Sequence, residues 1–109
     1  MQVKDIIKKF NFHDSNVIEL FRENDVVILK IDLCMWKQEG YKENDDELKE
    51  VSLKFDCVTD YTWDADKVEA DIDYDTILEM SYNNGILKIV LEDNGISVLT
   101  FKCNTVMFL

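Results

Sequence analysis

The chain has 109 residues, of which 47% are hydrophobic and 32% are charged, a composition typical of a globular domain and not of a disordered chain. Its 23 aspartate and glutamate residues against 12 lysine and arginine residues give a net charge of −11, which would repel a phosphate backbone or an anionic membrane. We therefore expect neither a nucleic acid nor a membrane as partner. The length predicts a single domain over residues 1–109 that buries about two-thirds of its unfolded surface.

The N-terminal residues predict a short amphipathic helix. The apolar positions fall at i, i+3, i+4 and i+7, and they are Val3, Ile6, Ile7 and Phe10. Two or three helical turns are not stable alone, so this helix must pack against an apolar surface of the domain.

Alternating apolar and polar positions predict strands at residues 17–23, 26–36 and 50–58. The pair Asn24-Asp25 predicts a turn between the first two. Within these strands the alternation places Cys57 on the inward face and Cys34 on the less apolar face, and the last strand of the chain places Cys103 inward. Three cysteines without a Cys-x-x-Cys pair argue against a disulfide framework and favour free thiols.

Two Asn-Gly pairs organise the C-terminal third of the chain. Asn84-Gly85 and Asn94-Gly95 separate apolar runs at residues 77–83, 86–92 and 96–103. Asn-Gly suits a type I′ hairpin turn because both central residues take positive φ. Residues 106–108 either form a terminal strand or prolong the preceding one. The predicted fold is mainly β: an antiparallel sheet of six or seven strands, curled or folded into a two-layer sandwich, with one short N-terminal helix closing one face.

Two acidic segments that carry aromatic residues precede or interrupt this framework. The first acidic segment (residues 36–47) is polar and predicts an exposed loop or hairpin tip. The second acidic segment (residues 60–75) is compatible with both a helical turn at 65–70 and extended chain at 71–75. Aromatic anchors within a charged rim are typical of protein-binding surfaces. The alternative is that each tryptophan covers the core beneath a loop. The candidate binding residues are Trp36, Tyr41, Glu43, Asp45, Asp46, Glu47, Asp60, Trp63, Asp64, Asp66, Asp71 and Asp73.

No catalytic residue is predicted. His13, Asp14 and Ser15 include the residue types of a nucleophilic triad, but consecutive residues cannot adopt its geometry. We expect Asp14 and Ser15 to bond to backbone amides at a turn instead. Cys34 is the one thiol on a less apolar face and hence the one candidate for reactivity.

No metal site is predicted either. The spacing of Asp71, Asp73 and Asp75 matches the first three ligand positions of an EF-hand loop, but Thr76 stands where glycine is required and Tyr82 where the bidentate glutamate is required. Alternating carboxylates of this kind are typical of a solvated strand edge.

The chain resembles a group of small bacterial proteins found among the immunity proteins of polymorphic toxin systems. The resemblance extends over most of the chain and is carried by Phe12-His13-Asp14-Ser15, Ile31-Asp32-Leu33-Cys34-Met35-Trp36, Gly40-Tyr41-Lys42-Glu43 and Leu53-Lys54-Phe55. It implies a cytoplasmic protein that binds and blocks a partner toxin, with no catalysis and no cofactor. No signal peptide or membrane-spanning run contradicts that location. An acidic protein suits a basic toxin domain as partner. The alternative is an adaptor or structural binding domain that self-associates or binds another protein through its aromatic residues or a sheet edge.

Overall fold

The computed structural model describes residues 1–43 and 46–109, and within them it contains one α-helix and one sheet of eight antiparallel strands. The order of the strands across the sheet is β4-β7-β6-β5-β1-β2-β3-β8. The elements are α1 (Val3–Lys9), β1 (Asn16–Glu23), β2 (Val26–Cys34), a 3-10 turn (Met35–Lys37), β3 (Leu48–Phe55), β4 (Thr59–Asp64), a 3-10 turn (Glu69–Asp71), β5 (Asp75–Asn83), β6 (Ile86–Glu92), β7 (Ile96–Lys102) and β8 (Val106–Phe108).

The predictions of a mainly β, antiparallel fold and of one short N-terminal helix are confirmed, but the sheet has eight strands where six or seven were expected. The unpredicted strand is β4, which pairs with β7 at one edge of the sheet. Its alternation is real, since Tyr61 and Trp63 face the core and Thr62 and Asp64 face solvent. Sequence reasoning missed this alternation because β4 lies among many aspartates, and charged residues on an edge strand do not indicate which side faces the core.

The turns between β5 and β6 and between β6 and β7 each contain an asparagine with positive φ, Asn84 and Asn94. Asn84 and Gly85 both take positive φ, as the type I′ prediction requires. The prediction of the same turn at Asn94-Gly95 is wrong, because only Asn94 is left-handed there and the Asp93 N–H donates to the Gly95 carbonyl at 3.0 Å. The connection is one residue longer than a two-residue turn, so a single left-handed asparagine is enough to reverse the chain.

The sheet bends between β1 and β5, where the two strands pair only at Asn16–Thr76 and Val17–Asp75. The rings of Phe55 in β3 and Phe101 in β7 lie 5.2 Å apart, although these strands are five steps apart in the sheet. In a flat sheet five steps would separate them by about 24 Å. The two halves of the sheet therefore face each other and enclose the apolar core between them.

The helix α1 packs on this core as predicted. Val3 and Ile6 are buried, and Ile7 and Phe10 are half-buried against the core. The Val3 N–H also donates to the Asn104 carbonyl at 2.9 Å, which ties the start of the chain to the connection between β7 and β8. Burial of a Val or Ile side chain stabilises by about 1.5–3 kcal/mol, so this docking is what makes seven helical residues stable. No helix in the described ranges is long and apolar enough to cross a membrane.

A second contact between the two halves of the sheet involves Arg22 in β1, Tyr61 in β4 and Glu69. The Arg22 guanidinium lies 3.9 Å from the centre of the Tyr61 ring, and the Tyr61 hydroxyl donates to Glu69 Oε2 at 2.6 Å. Burial of the ring and the hydrogen bond to Glu69 both raise the pKa of Tyr61. The contact fixes the 3-10 turn of the second acidic segment against β1.

Two of the three cysteines, Cys34 and Cys57, lie in environments that differ from the predicted ones. Cys103 is buried, as expected, but Cys57 is exposed because β3 ends at Phe55 and Cys57 takes a left-handed conformation in the following turn. Cys34 is buried, which raises the pKa of its thiol and removes the basis for the reactivity considered for it.

The buried Cys103 thiol predicts a loss of stability at alkaline pH. Burial raises its pKa from 9.0 to about 11, so an unfolded chain releases this proton before the folded one does. The stabilisation is fully present below pH 9 and is lost as the pH rises through 11, a loss of at most about 3 kcal/mol. Denaturant unfolding across this range should show a smaller fall for Cys103→Ala than for the wild type. Equal slopes for the two proteins would contradict the prediction.

Candidate functional site

The first acidic segment presents an exposed aromatic side chain. The 3-10 turn that follows β2 places Trp36 on the surface, with 54% of the residue exposed, and Tyr41 is half-buried. The Lys37 ammonium lies 5.3 Å from the centre of the Trp36 ring. The acidic residues of the segment that the structure describes are exposed, namely Glu39, Glu43, Asp46 and Glu47, while Asp45 lies outside the described residues.

Both ends of this segment are anchored to the rest of the domain. The Gln38 amide accepts from the Asn11 N–H at 2.9 Å and donates to the carbonyls of Asn11 at 2.6 Å and Cys34 at 2.8 Å. At the other end, the Met35 N–H donates to the Glu47 carbonyl at 2.8 Å. A surface held in this way loses less conformational entropy on binding than a loose loop would.

The turn that contains His13, Asp14 and Ser15 supports the same segment. Lys37 Nζ lies 2.9 Å from the Asp14 carboxylate and 3.4 Å from His13 Nδ1. The hydrogen bond from Lys37 is the main cause that lowers the pKa of Asp14. Ser15 is buried, and its hydroxyl accepts the Cys34 N–H at 2.8 Å, which confirms the predicted amide contact for Ser15. The corresponding prediction for Asp14 is wrong, because its carboxylate pairs with Lys37.

A cleft of about 520 Å³ lies beside this turn, between α1, the 3-10 turn after β2 and β5. Lys8, Lys9 and Lys37 line it together with Glu39 and Glu79, and Lys37 is paired with Asp14, so the charges around the cleft nearly balance. Its walls come from three separate parts of the chain, at residues 7–13, 37–39 and 79–80, and sequence reasoning missed it for that reason. Two of its lysines are already visible in the sequence as the polar face of the predicted helix.

The second acidic segment divides into exposed carboxylates and a structural tryptophan. Asp64, Asp66, Asp71 and Asp73 are exposed, and Asp60 pairs with Lys102 at 3.2 Å. Trp63 faces inward, packs against the core and donates its indole N–H to the Lys67 carbonyl at 2.7 Å. Trp63 therefore covers the core beneath a loop, the alternative considered for both tryptophans, whereas Trp36 projects outward.

Asp75 overturns the expectation of a solvated edge at the end of this segment. The residue is fully buried, its Oδ2 lies 2.6 Å from Lys67 Nζ, and its Oδ1 accepts the Asp73 N–H at 3.1 Å. Among the described residues, Oδ2 has no partner besides this ammonium group. Burial opposes the charge on Lys67, but the hydrogen bonds and charges of Asp75 and Asp93 outweigh it and raise its pKa. Within the described ranges no three His, Cys, Asp or Glu side chains are grouped to hold a metal ion.

The two acidic segments attach to different parts of the sheet. The first lies where β2 ends, beside the turn at residues 11–14. The second lies along β1, where Asp75 pairs with Val17 and Glu69 pairs with Arg22.

Comparisons with protein families, with curated proteins and with solved structures found no match for this chain.

Proposed function

We propose that the protein is a cytoplasmic, non-catalytic binding protein that neutralises a basic toxin domain through the first acidic segment. The observation that carries the proposal is the exposure of Trp36, at 54%, on an anchored segment whose described acidic residues are all exposed. A large exposed aromatic side chain within an acidic rim supplies the two ingredients of a protein-binding surface, a hydrophobic anchor and complementary charge.

The net charge of −11 suits a basic partner such as a nuclease toxin with a phosphate-binding cleft. Opposite charge accelerates the encounter of two proteins and makes their association rate fall with ionic strength. Carboxylates on the bound segment would also occupy positions that a nucleic-acid phosphate requires. Inhibition then needs binding alone, without a chemical step.

Several of the side chains considered for catalysis are engaged in structural contacts, which supports a non-catalytic role. The Ser15 hydroxyl is buried against the Cys34 N–H, and the contacts of His13 are with Asp14 and Lys37. Burial raises the pKa of both Cys34 and Cys103, so their nucleophilic thiolate forms are disfavoured.

If a toxin domain is encoded beside this protein, co-expression of the two tests the proposal. The wild type should restore growth, and Trp36→Ala should weaken binding about 30-fold, because truncation of an interface anchor costs about 2 kcal/mol. Tyr74→Ala is the matched control, since Tyr74 is 55% exposed but lies outside the first acidic segment. Glu43→Gln with Glu47→Gln should slow association more than it speeds dissociation.

Persistent toxicity in the presence of the folded wild type would reject the neutralising function. If the wild type neutralises the toxin but the Trp36 and Tyr74 variants bind equally well, the interface lies outside the first acidic segment. An association rate that does not respond to salt would reject the electrostatic part.

A self-associating binding domain is the second candidate. It is favoured by the edge strand β8, where Met107 is 48% exposed and Phe108 38% exposed. The charge of −11 on each copy opposes such pairing, so self-association should be strongest at high salt. Light scattering at two salt concentrations measures this directly.

A further inference from the structure

Part of the outer edge of β3 carries no strand partner among the described residues. The edge strand β8 pairs with β3 only at Leu53, Lys54 and Phe55. The Leu109 N–H extends this contact by one bond, to the Ser52 carbonyl at 3.0 Å. Residues 48–51 of β3 lie beyond it, paired with β2 on one side alone.

The direction of the backbone groups along this edge follows from two hydrogen bonds. In an antiparallel ladder the N–H and C=O of one residue point to the same side, and the side alternates along the strand. The Glu47 carbonyl faces Met35 on the β2 side, whereas the Ser52 carbonyl faces Leu109 on the outer side. Leu48 and Glu50 therefore direct their N–H and C=O groups outward, where an added strand would meet them.

An apolar groove of about 340 Å³ lies directly beside this edge. Its apolar lining consists of Phe10, Leu33, Met35, Val51, Phe108 and Leu109, and the oppositely charged Lys49 and Glu50 complete the lining. A strand placed along residues 48–51 would send alternate side chains into the groove, so the edge offers main-chain bonds and an apolar side-chain site together. Met35 precedes Trp36, which places the groove next to the proposed binding segment.

Charge selects the occupant of this edge. Asp46 and Glu47 are exposed immediately beyond Leu48. A strand that continues the direction of β8 would meet Val51 first and these carboxylates afterwards. An apolar residue followed by lysine or arginine complements that order. A second copy of this chain would bring another net charge of −11 to this edge, which opposes self-pairing.

We infer that the edge of β3 at residues 48–51 binds an extended basic segment of a partner protein by strand addition. The inference rests on the proposed function and names how the partner docks. Strand addition requires that the outward amides of Leu48 and Glu50 become hydrogen-bonded, while those of Lys49 and Val51 keep their bonds to β2.

Peptides selected from a displayed random-sequence library provide the probe. Enriched peptides should contain an apolar residue followed by basic residues and should bind Glu50→Pro about tenfold more weakly than Glu50→Ala. Proline removes only an outward N–H, which costs about 1.4 kcal/mol, and an edge position tolerates it. In the wild type, amide exchange at Leu48 and Glu50 should be fast, and the peptide should slow it, with Lys49 and Val51 unchanged.

The exchange measurement uses the wild type and so stands even if Glu50→Pro does not fold. Failure to enrich any peptide, or peptides that leave the exchange of Leu48 and Glu50 unchanged, would overturn the inference. Protection of these amides that grows with protein concentration alone would assign the edge to a second copy and also overturn it. Toxin neutralisation without peptide binding would reject only the edge. Peptide binding without neutralisation would reject only the toxin function.

Discussion

Replacement of Lys67 by methionine is expected to lower the free energy of unfolding by about 3–5 kcal/mol, because it leaves a charge buried without its partner. Asp75 is fully buried, and its Oδ2 lies 2.6 Å from the Lys67 ammonium. Methionine keeps most of the aliphatic length of lysine, so the loss reports the charge and not the packing. Urea unfolding at neutral pH measures it.

Lys102→Met is the matched control for this prediction. Lys102 also pairs with an aspartate, Asp60, at 3.2 Å, but both side chains are more than half exposed, so the loss should stay below about 1 kcal/mol. Adding Asp75→Asn to Lys67→Met should recover part of the loss, since the amide keeps an acceptor for the Asp73 N–H and carries no charge. If Lys67→Met costs no more than Lys102→Met, Asp75 is not held by this ion pair.

The strands that sequence predicts well are those whose burial follows from local alternation. In β2, in β6 and in β3 from Val51 onward, every second residue faces the core, and the Asn24 and Asn84 turns place left-handed residues where the chain reverses. Sequence reasoning did not predict β4, because four of its six residues are exposed aspartate or threonine and its inward residues are Tyr61 and Trp63. Its place at the sheet edge depends on pairing with β7, which local pattern does not encode.

Long-range contacts decide which residues of the two acidic segments are exposed and which are buried. Trp36 and Trp63 look alike in the sequence, since each lies beside acidic residues. Among the residues that the structure describes, only Trp63 donates to a carbonyl, that of Lys67, and it packs against the core. Asp71, Asp73 and Asp75 alternate regularly in the sequence. Asp75 is nevertheless buried, and its carboxylate forms an ion pair with Lys67. The open edge of β3 was equally inaccessible to sequence, since it exists only where β8 pairs with part of its neighbour.

Phe101→Ala is expected to lower the free energy of unfolding by about 3–5 kcal/mol, because Phe101 is a central contact between the two halves of the sheet. Its ring lies 5.2 Å from Phe55 in an edge-to-face arrangement and is stacked on Tyr61 at 6.2 Å. Both phenylalanines are almost fully buried. Truncation therefore leaves a cavity at the point where the layers meet, and thermal or urea unfolding measures the cost.

Phe21→Ala serves as the control, since Phe21 is 46% exposed and its loss should cost far less. Because a loss of 5 kcal/mol approaches the whole stability of a small domain, Phe101→Leu and Phe55→Leu form the better double-mutant cycle. An aromatic pair in contact should show a coupling energy of about 0.5–1.5 kcal/mol. Strict additivity of the two substitutions would mean that the layers are not joined through this pair, and the bend between β1 and β5 would then have to be maintained by α1 and by the contact of Arg22 with Tyr61.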